Sequence, residues 1–278
     1  MICRRRKIGS QPLKSPVYAV PDPKIIMAVG AFSPAAPAST TVKSIYVKMA
    51  HVETVKIKIC GLTRVEDAEM ALRYGADFIG LNLFSGPRKI TVQRAGEILK
   101  TGDATKHAVA LVDLSTDVGY SDARALAEVF GVRRFQLYGD PMRVRRLPVE
   151  GLDYWPVFRI ARGEDLRNID DSLRAMPVAA AAILLDGFST SAHGGTGTRI
   201  DLAWLAEARK AGAMRTVLPV ILAGGLNARN VADAIATICP WAVDVSSGVE
   251  YAGQPGIKDH AEIASFIAAV RAASSRIK

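Results

Sequence analysis

The chain has 278 residues, 49% of them hydrophobic and 23% charged. No apolar run approaches the roughly 20 residues that cross a bilayer, so a helical membrane protein is excluded and one large domain with an ample core is expected. The formal charge of +9 looks like a nucleic-acid signal until it is divided: residues 1–50 hold three Arg and five Lys against one Asp, a balance of +7, which leaves +2 for the other 228 residues.

In chain order, the first 50 residues form a basic leader rich in Ser, Pro and Ala, with Arg4-Arg5-Arg6-Lys7 and no sustained periodicity, and are expected to be disordered. Met49 lies just ahead of the first strand pattern, which favours a mis-assigned start over a transit segment or a nucleic-acid-binding tail. From Val55 onward short apolar runs alternate with helical patterns. Strands are expected over 55–60, 77–83, 107–113, 133–137, 153–160, 179–186, 217–223 and 242–247. Helices are expected near 64–74, 91–100, 121–130, 162–175, 201–211, 227–237 and 259–273, with a short or irregular link at 141–149. Eight β/α units in roughly 220 residues give an α/β fold, a single (β/α)8 barrel over 55–273. An open doubly wound sheet is the alternative.

Two strand tips carry chemistry. Cys60 ends the alternating run Val55–Cys60 and precedes Gly61; Asp186 ends the run Ala179–Leu185 and precedes a glycine-rich loop. A thiol and a carboxylate on separate strand ends converge when a closed parallel barrel brings those ends to one face. Cys3, Cys60 and Cys239 are too widely spaced to suggest a disulfide framework or a metal site, which fits a reducing, cytoplasmic setting, and Cys239 reads as a structural thiol. His51, His107 and His260 stand at no strand tip, and His193 reads as a solvated loop residue.

Several separated motifs, KICGLTR (58–64), GPR (86–88), QLYGD (136–140), LLDG (184–187), GGTG (194–197), LAGGLN (222–227) and VDVSSGVE (243–250), resemble in order and spacing the phosphoribosylanthranilate isomerase family of tryptophan biosynthesis. The resemblance runs from about Val55 to Ile267. It implies an Amadori rearrangement of N-(5-phosphoribosyl)anthranilate without metal or organic cofactor, with Asp186 as general acid and Cys60 as general base. It further implies that Arg88 holds the anthranilate carboxylate, for which its planar fork is suited. Phosphate is expected on the turns after strands 7 and 8, at Gly224, Gly225, Ser247 and Gly248, where glycine lets main-chain N–H groups approach a dianion. Asp113, Tyr138, Gly195 and Asp244 are the remaining candidates for the site wall.

Two departures from the family pattern stand out. Tyr138 replaces a histidine, and Asp113 stands where an asparagine is common; if Asp113 faces the site, it brings negative charge towards an anionic substrate, at a cost in binding. The expected partner is a small phosphosugar rather than a nucleic acid or a membrane, and the expected state is monomer or homodimer. Two alternatives are a related phosphosugar isomerase of altered substrate choice and a weakly active phosphosugar-binding protein recruited by its basic tail.

Overall fold

The computed structural model describes residues 54–160, 163–187, 201–212 and 216–276. The leader, His51, His193 and the loop with Gly195 lie outside the described residues. Eight parallel strands close into a barrel in chain order: β1 (Lys56–Cys60), β2 (Phe78–Asn82), β3 (Ala108–Val112), β4 (Arg134–Leu137), β5 (Asp153–Ile160), β6 (Ile183–Gly187), β7 (Val220–Leu222) and β8 (Ala242–Val245). The seam is the β1–β8 pairing, in register from Lys56↔Ala242 to Ile59↔Val245. The connections carry α1 (Val65–Tyr74), α2 (Val92–Leu99), α3 (Ala104–His107), α4 (Asp117–Val129), α5 (Gly163–Ala175), α6 (Leu202–Lys210), α7 (Val231–Ile238) and α8 (His260–Ser274). Between β4 and β5 a 3-10 turn, Pro141–Arg143, stands in the irregular link expected there.

Strand alternation divides the molecule into two cores. Ile57, Ile59, Ile79, Leu81, Phe135, Ile183, Leu185 and Val243 point outward and pack under the helices. The residues between them point into the barrel, and their character changes along its axis. At the N-terminal end of the strands Phe78, Trp155 and Trp241 pack edge-on and tilted, with ring centroids 5.1 to 5.9 Å apart. Leu184, Ile221 and Ala223 continue this inner layer upward, and above it the inward side chains become polar: Lys58, Gln136 and Asp244 are buried there. The barrel is therefore sealed by aromatic rings at one end and lined with charge towards the other.

Capping explains where four of the helices begin. Thr91, Thr116, Asp201 and Asp259 each accept a main-chain N–H in the first turn of α2, α4, α6 and α8. Four boundaries differ from the sequence pattern: α4 starts early, at Asp117 rather than 121, because Thr116 caps it there, and three elements start late. β6 starts at Ile183 because the preceding alanines make only a single bridge, Ala180 to Tyr154. β7 starts at Val220 because Pro219 has no N–H to give the ladder, and Val217 is 79% exposed. α7 starts at Val231 because Asn227 and Asn230 close a turn ahead of it through their side chains. The one-turn α3 is too short to leave a periodic signal.

Asp67 of α1 ties the barrel seam from outside. It is fully buried and accepts from Arg64 Nε and Nη2 at 2.9 and 2.6 Å and from the Lys258 main-chain N–H at 3.2 Å, and it pairs with His260 Nε2 at 2.9 Å. Asp67→Ala strands four donor nitrogens on three residues and is expected to cost about 3 kcal/mol of stability, read as a lowered urea midpoint. An unchanged midpoint would show that the seam does not depend on this carboxylate.

Candidate active site

The cavity opens at the C-terminal end of the strands, the end where barrels of this kind place their chemistry. Cys60 from β1 and Asp186 from β6 both line it, as do Arg88, Tyr138, Gly224, Gly225, Asp244 and Ser247. Residues from six or more connections thus meet in one place although they are spread over nearly two hundred positions.

Cys60 sits above a buried ion pair. Lys58, two positions earlier on the same inward face, is fully buried and donates from Nζ to Asp244 Oδ1 at 2.9 Å. The ammonium also acts on the Cys60 thiol, favouring its charged form. Gly80 on β2 makes room for both groups, since a Cβ there would fall 2.7 Å from Cys60 Sγ and 3.1 Å from Lys58 Nζ. Burial pushes the Cys60 thiol above its ordinary value and Asp244 pushes the same way, while Lys58 and Lys258 pull it back only in part. Burial alone would lower Lys58; the charges of Asp244 and Cys60 outweigh it and hold the ammonium above its ordinary range.

Asp186 is raised to about 6, chiefly by burial and then by the charge of Asp244, against Arg159, the Gly187 N–H and Lys58. Arg159 is its register partner on β5. A carboxylate in this range holds a proton over part of the neutral region, as a general acid must.

Arg88 is more constrained than a free fork. Its Nε and Nη2 are bound to Glu250 at 2.7 and 2.6 Å. Glu250 also accepts from Lys258 Nζ at 2.8 Å and from the Gly256 N–H at 3.0 Å, and Lys258 reaches Ser246 O at 3.0 Å. One edge of the guanidinium is therefore taken by protein, and a ligand carboxylate can meet only the remaining edge. The buried Lys258 is lowered by burial, and Glu250 is lowered despite its own burial because Arg88 and Lys258 hold its charge.

The late turns are built for close approach. Gly224 lies at φ +95° with its Cα face against the Gly187 main chain, where a Cβ would come within 2.6 Å of Gly187 N. Gly225 follows at φ +64°. Ser246 and Ser247 complete this side of the cavity. Gly248 is not on the cavity wall: it lies under the Leu226 carbonyl, 2.0 Å from where a Cβ would sit.

Asp113, expected as a wall residue, is turned away from the cavity. Its Oδ1 accepts from Ser115 N at 2.9 Å and Ser115 Oγ at 2.6 Å, closing the turn that follows β3, and its carboxylate lies against Gly139. The charge is spent on a local turn, so the expected binding cost has no basis in the geometry. Lys58, Arg159, Glu250 and Lys258 were not singled out from sequence. His107 contacts Asp77 O and His260 contacts Asp67, both away from the cavity wall.

The raised Asp186 carries a stability signature. A carboxyl that titrates near ~3.9 when unfolded and about 6 when folded leaves the folded state holding more protons between those values, so stability falls as pH rises through that window. Asp186→Asn is expected to exceed the parent by about 2 kcal/mol above pH 6 after allowance for partial solvent access, and to lose that advantage towards pH 4. Urea midpoints at both pH values test it; an advantage equal at both would rule out titration as the cause.

Comparison with known proteins identifies the family. The family profile described as N-(5'phosphoribosyl)anthranilate (PRA) isomerase matches residues 57–269. The N-(5'-phosphoribosyl)anthranilate isomerases of Pseudomonas fluorescens and Acidithiobacillus ferrooxidans are 38% and 39% identical over 220 residues, covering 78% of this chain and 98% of each relative. Among solved structures, phosphoribosyl anthranilate isomerase from Thermotoga maritima is 28% identical with a TM-score of 0.64, covering 78% of this chain and 99% of that one. Another, 27% identical with a TM-score of 0.61 over the same shares, is the enzyme in complex with reduced 1-(o-carboxyphenylamino)-1-deoxyribulose 5-phosphate. With its closed barrel and its match to the profile over most of its length, the chain belongs to the N-(5'-phosphoribosyl)anthranilate isomerase family.

Proposed function

We propose that the protein rearranges N-(5'-phosphoribosyl)anthranilate to 1-(2-carboxyphenylamino)-1-deoxyribulose 5-phosphate, a step of tryptophan biosynthesis. The observation that carries the reading is the convergence of a buried thiol and a carboxyl raised to about 6 in one cavity, between an arginine and paired glycine turns. Asp186 gives its proton to the furanose ring oxygen, and the ring opens to a protonated Schiff base between C1 and the anthranilate nitrogen. Cys60 takes the proton from C2; that electron pair forms the C1–C2 double bond and neutralises the iminium nitrogen. The resulting enol becomes a ketone as C1 gains a proton and the C2 hydroxyl loses one, so no electrons enter or leave.

The substrate's anions fit the two sides of the cavity. The anthranilate carboxylate meets the free edge of Arg88, whose direction Glu250 fixes, and the phosphate meets the N–H groups around Gly224, Gly225 and Ser247. Bringing these negative charges in favours the protonated form of Asp186 further, which is the form its role requires.

The coupled pair sets the pH profile. Below about 6 both groups are protonated and the base is lost; above the raised thiol value both are ionised and the acid is lost. Between them the two groups hold one proton, mostly on Cys60 in the free protein, and the productive form with that proton on Asp186 is a constant minor fraction, so kcat/KM should form a plateau with its acid limb near 6 and its alkaline limb above the ordinary thiol range. Cys60→Ser and Asp186→Asn are each expected to lower kcat by about 10²-fold or more. The assay is loss of anthranilate-type fluorescence from freshly made substrate, corrected for spontaneous release of anthranilate. Turnover surviving in either variant within about tenfold removes that residue from its role.

A further inference from the structure

Tyr138 carries a group that the steps above leave unused. The residue follows β4, and its main-chain N–H donates to Val112 O at 2.9 Å, which fixes the ring on the cavity wall. Phe84, from the loop after β2, stacks on it with centroids 4.9 Å apart and planes 8° from parallel. Phe84 is held in turn by its N–H on Asn82 Oδ1 at 2.9 Å. Below the phenol, Gln136 shares the inward face of β4, is 1% exposed, and donates from Nε2 to the Tyr138 hydroxyl at 3.0 Å.

The direction of that hydrogen bond decides what the phenol can do. Gln136 Oε1 has no partner among the described residues. Reversing the amide would only move the unpaired atom to Nε2, and it would aim a carbonyl at a phenol on which the charges of Cys60, Asp186 and Asp244 already act. Negative surroundings favour the amide NH2 there. A phenol oxygen that accepts on one side turns its own proton to the other, and no described side chain accepts it. Burial, with the charges of Cys60, Asp186 and Asp244, also pushes this phenol well above its ordinary value, so it remains a neutral donor across the working range.

We propose that the Tyr138 hydroxyl, oriented by Gln136, is a substrate-contacting donor that recognises a neutral sugar hydroxyl beside the reacting carbons. This deepens the isomerase reading and rests on it. The carboxylate and phosphate have their own cationic and N–H partners at Arg88 and the glycine turns. The acidic groups Cys60, Asp186 and Asp244 offer acceptors when ionised, which leaves the sugar hydroxyls in need of a donor that carries no titrating charge. A histidine, the usual family residue at this position, donates as well but takes up a proton near neutrality, the more so among three acids. Tyrosine supplies the donor without that ionisation.

The test uses the reduced product analogue 1-(o-carboxyphenylamino)-1-deoxyribulose 5-phosphate as probe, with calorimetric Kd alongside kcat and KM. Tyr138→Phe keeps the ring and its stacking on Phe84, and is expected to weaken binding of the analogue about tenfold and to lower kcat/KM similarly. Tyr138→His should recover most of the affinity but add an ionisation near neutrality to the pH dependence of Kd, one the parent lacks. Gln136→Leu should weaken binding in the parent and do nothing further in Tyr138→Phe, the signature of two residues acting through one hydroxyl. Tyr138→Phe binding within twofold of a parent of equal thermal stability overturns the contact. A parent that binds the analogue yet fails to turn over substrate overturns the isomerase reading while the binding comparison still decides Tyr138. A parent that does not bind the analogue overturns both.

Discussion

The buried pair of Lys58 and Asp244 is the constraint on which the site depends. Both side chains lie inside the barrel, 0% and 7% exposed, joined at 2.9 Å. Such a pair rarely stabilises a fold more than apolar residues of the same size would, because two charges have left water. Its effect here is on the neighbours. Asp244 raises both Cys60 and Asp186, and Lys58 opposes it at both. One pair thus biases the base and the acid together, and removing either member would leave an uncompensated charge beside the two groups that exchange protons. The pair is also what keeps the inner layer from closing: apolar side chains at 58 and 244 would extend the plug below and fill the floor of the cavity.

A second ionic group, Arg88 with Glu250 and Lys258, does a different job at the rim. Glu250 receives donors from both cations and from a main-chain N–H, so its charge is fully used and Arg88 cannot swing away. The arginine is pre-set in direction before any ligand arrives, which lowers the ordering cost of binding. Counting Lys58, Arg88, Arg159 and Lys258 against Asp186, Asp244 and Glu250, the cavity is slightly positive when Asp186 is ionised and more so when it is protonated. A substrate with a carboxylate and a phosphate reverses that balance, and the group that responds most readily is the one already poised near neutrality.

The barrel and the two strand tips were legible because alternation and strand ends are local. Lys58 was equally visible, two positions before Cys60 in an alternating run, yet on a half-buried strand the polar face is the water face, and only closure of the barrel turns it inward. Its burial is a property of the closed sheet rather than of the segment. Glu250 meets Arg88 from 162 positions away, with Lys258 on its other side, and neither leaves a local trace. Asp113 failed in the opposite way. Strand periodicity carried past Val112 assigns it to the cavity, but the chain leaves the strand there and Ser115 draws the carboxylate into a turn. Arg88 was legible as a candidate anion-binding residue, though its occupied edge was not.

The aromatic plug at the far end of the barrel belongs to the same physical account. Phe78, Trp155 and Trp241 do not line the cavity, but they form the apolar layer beneath its polar floor and hinder water from that side. Burial is the first cause of the raised values at both Asp186 and Cys60, and burial at the floor of an open cavity requires a dry layer beneath it. The apolar end therefore contributes to the chemistry through dielectric rather than contact. Opening that end to solvent would relax both groups towards their ordinary values with every residue of the site still in place. The sequence feature that sets the acid is then not only the aspartate at the tip of β6 but also the rings at the opposite ends of β2, β5 and β8.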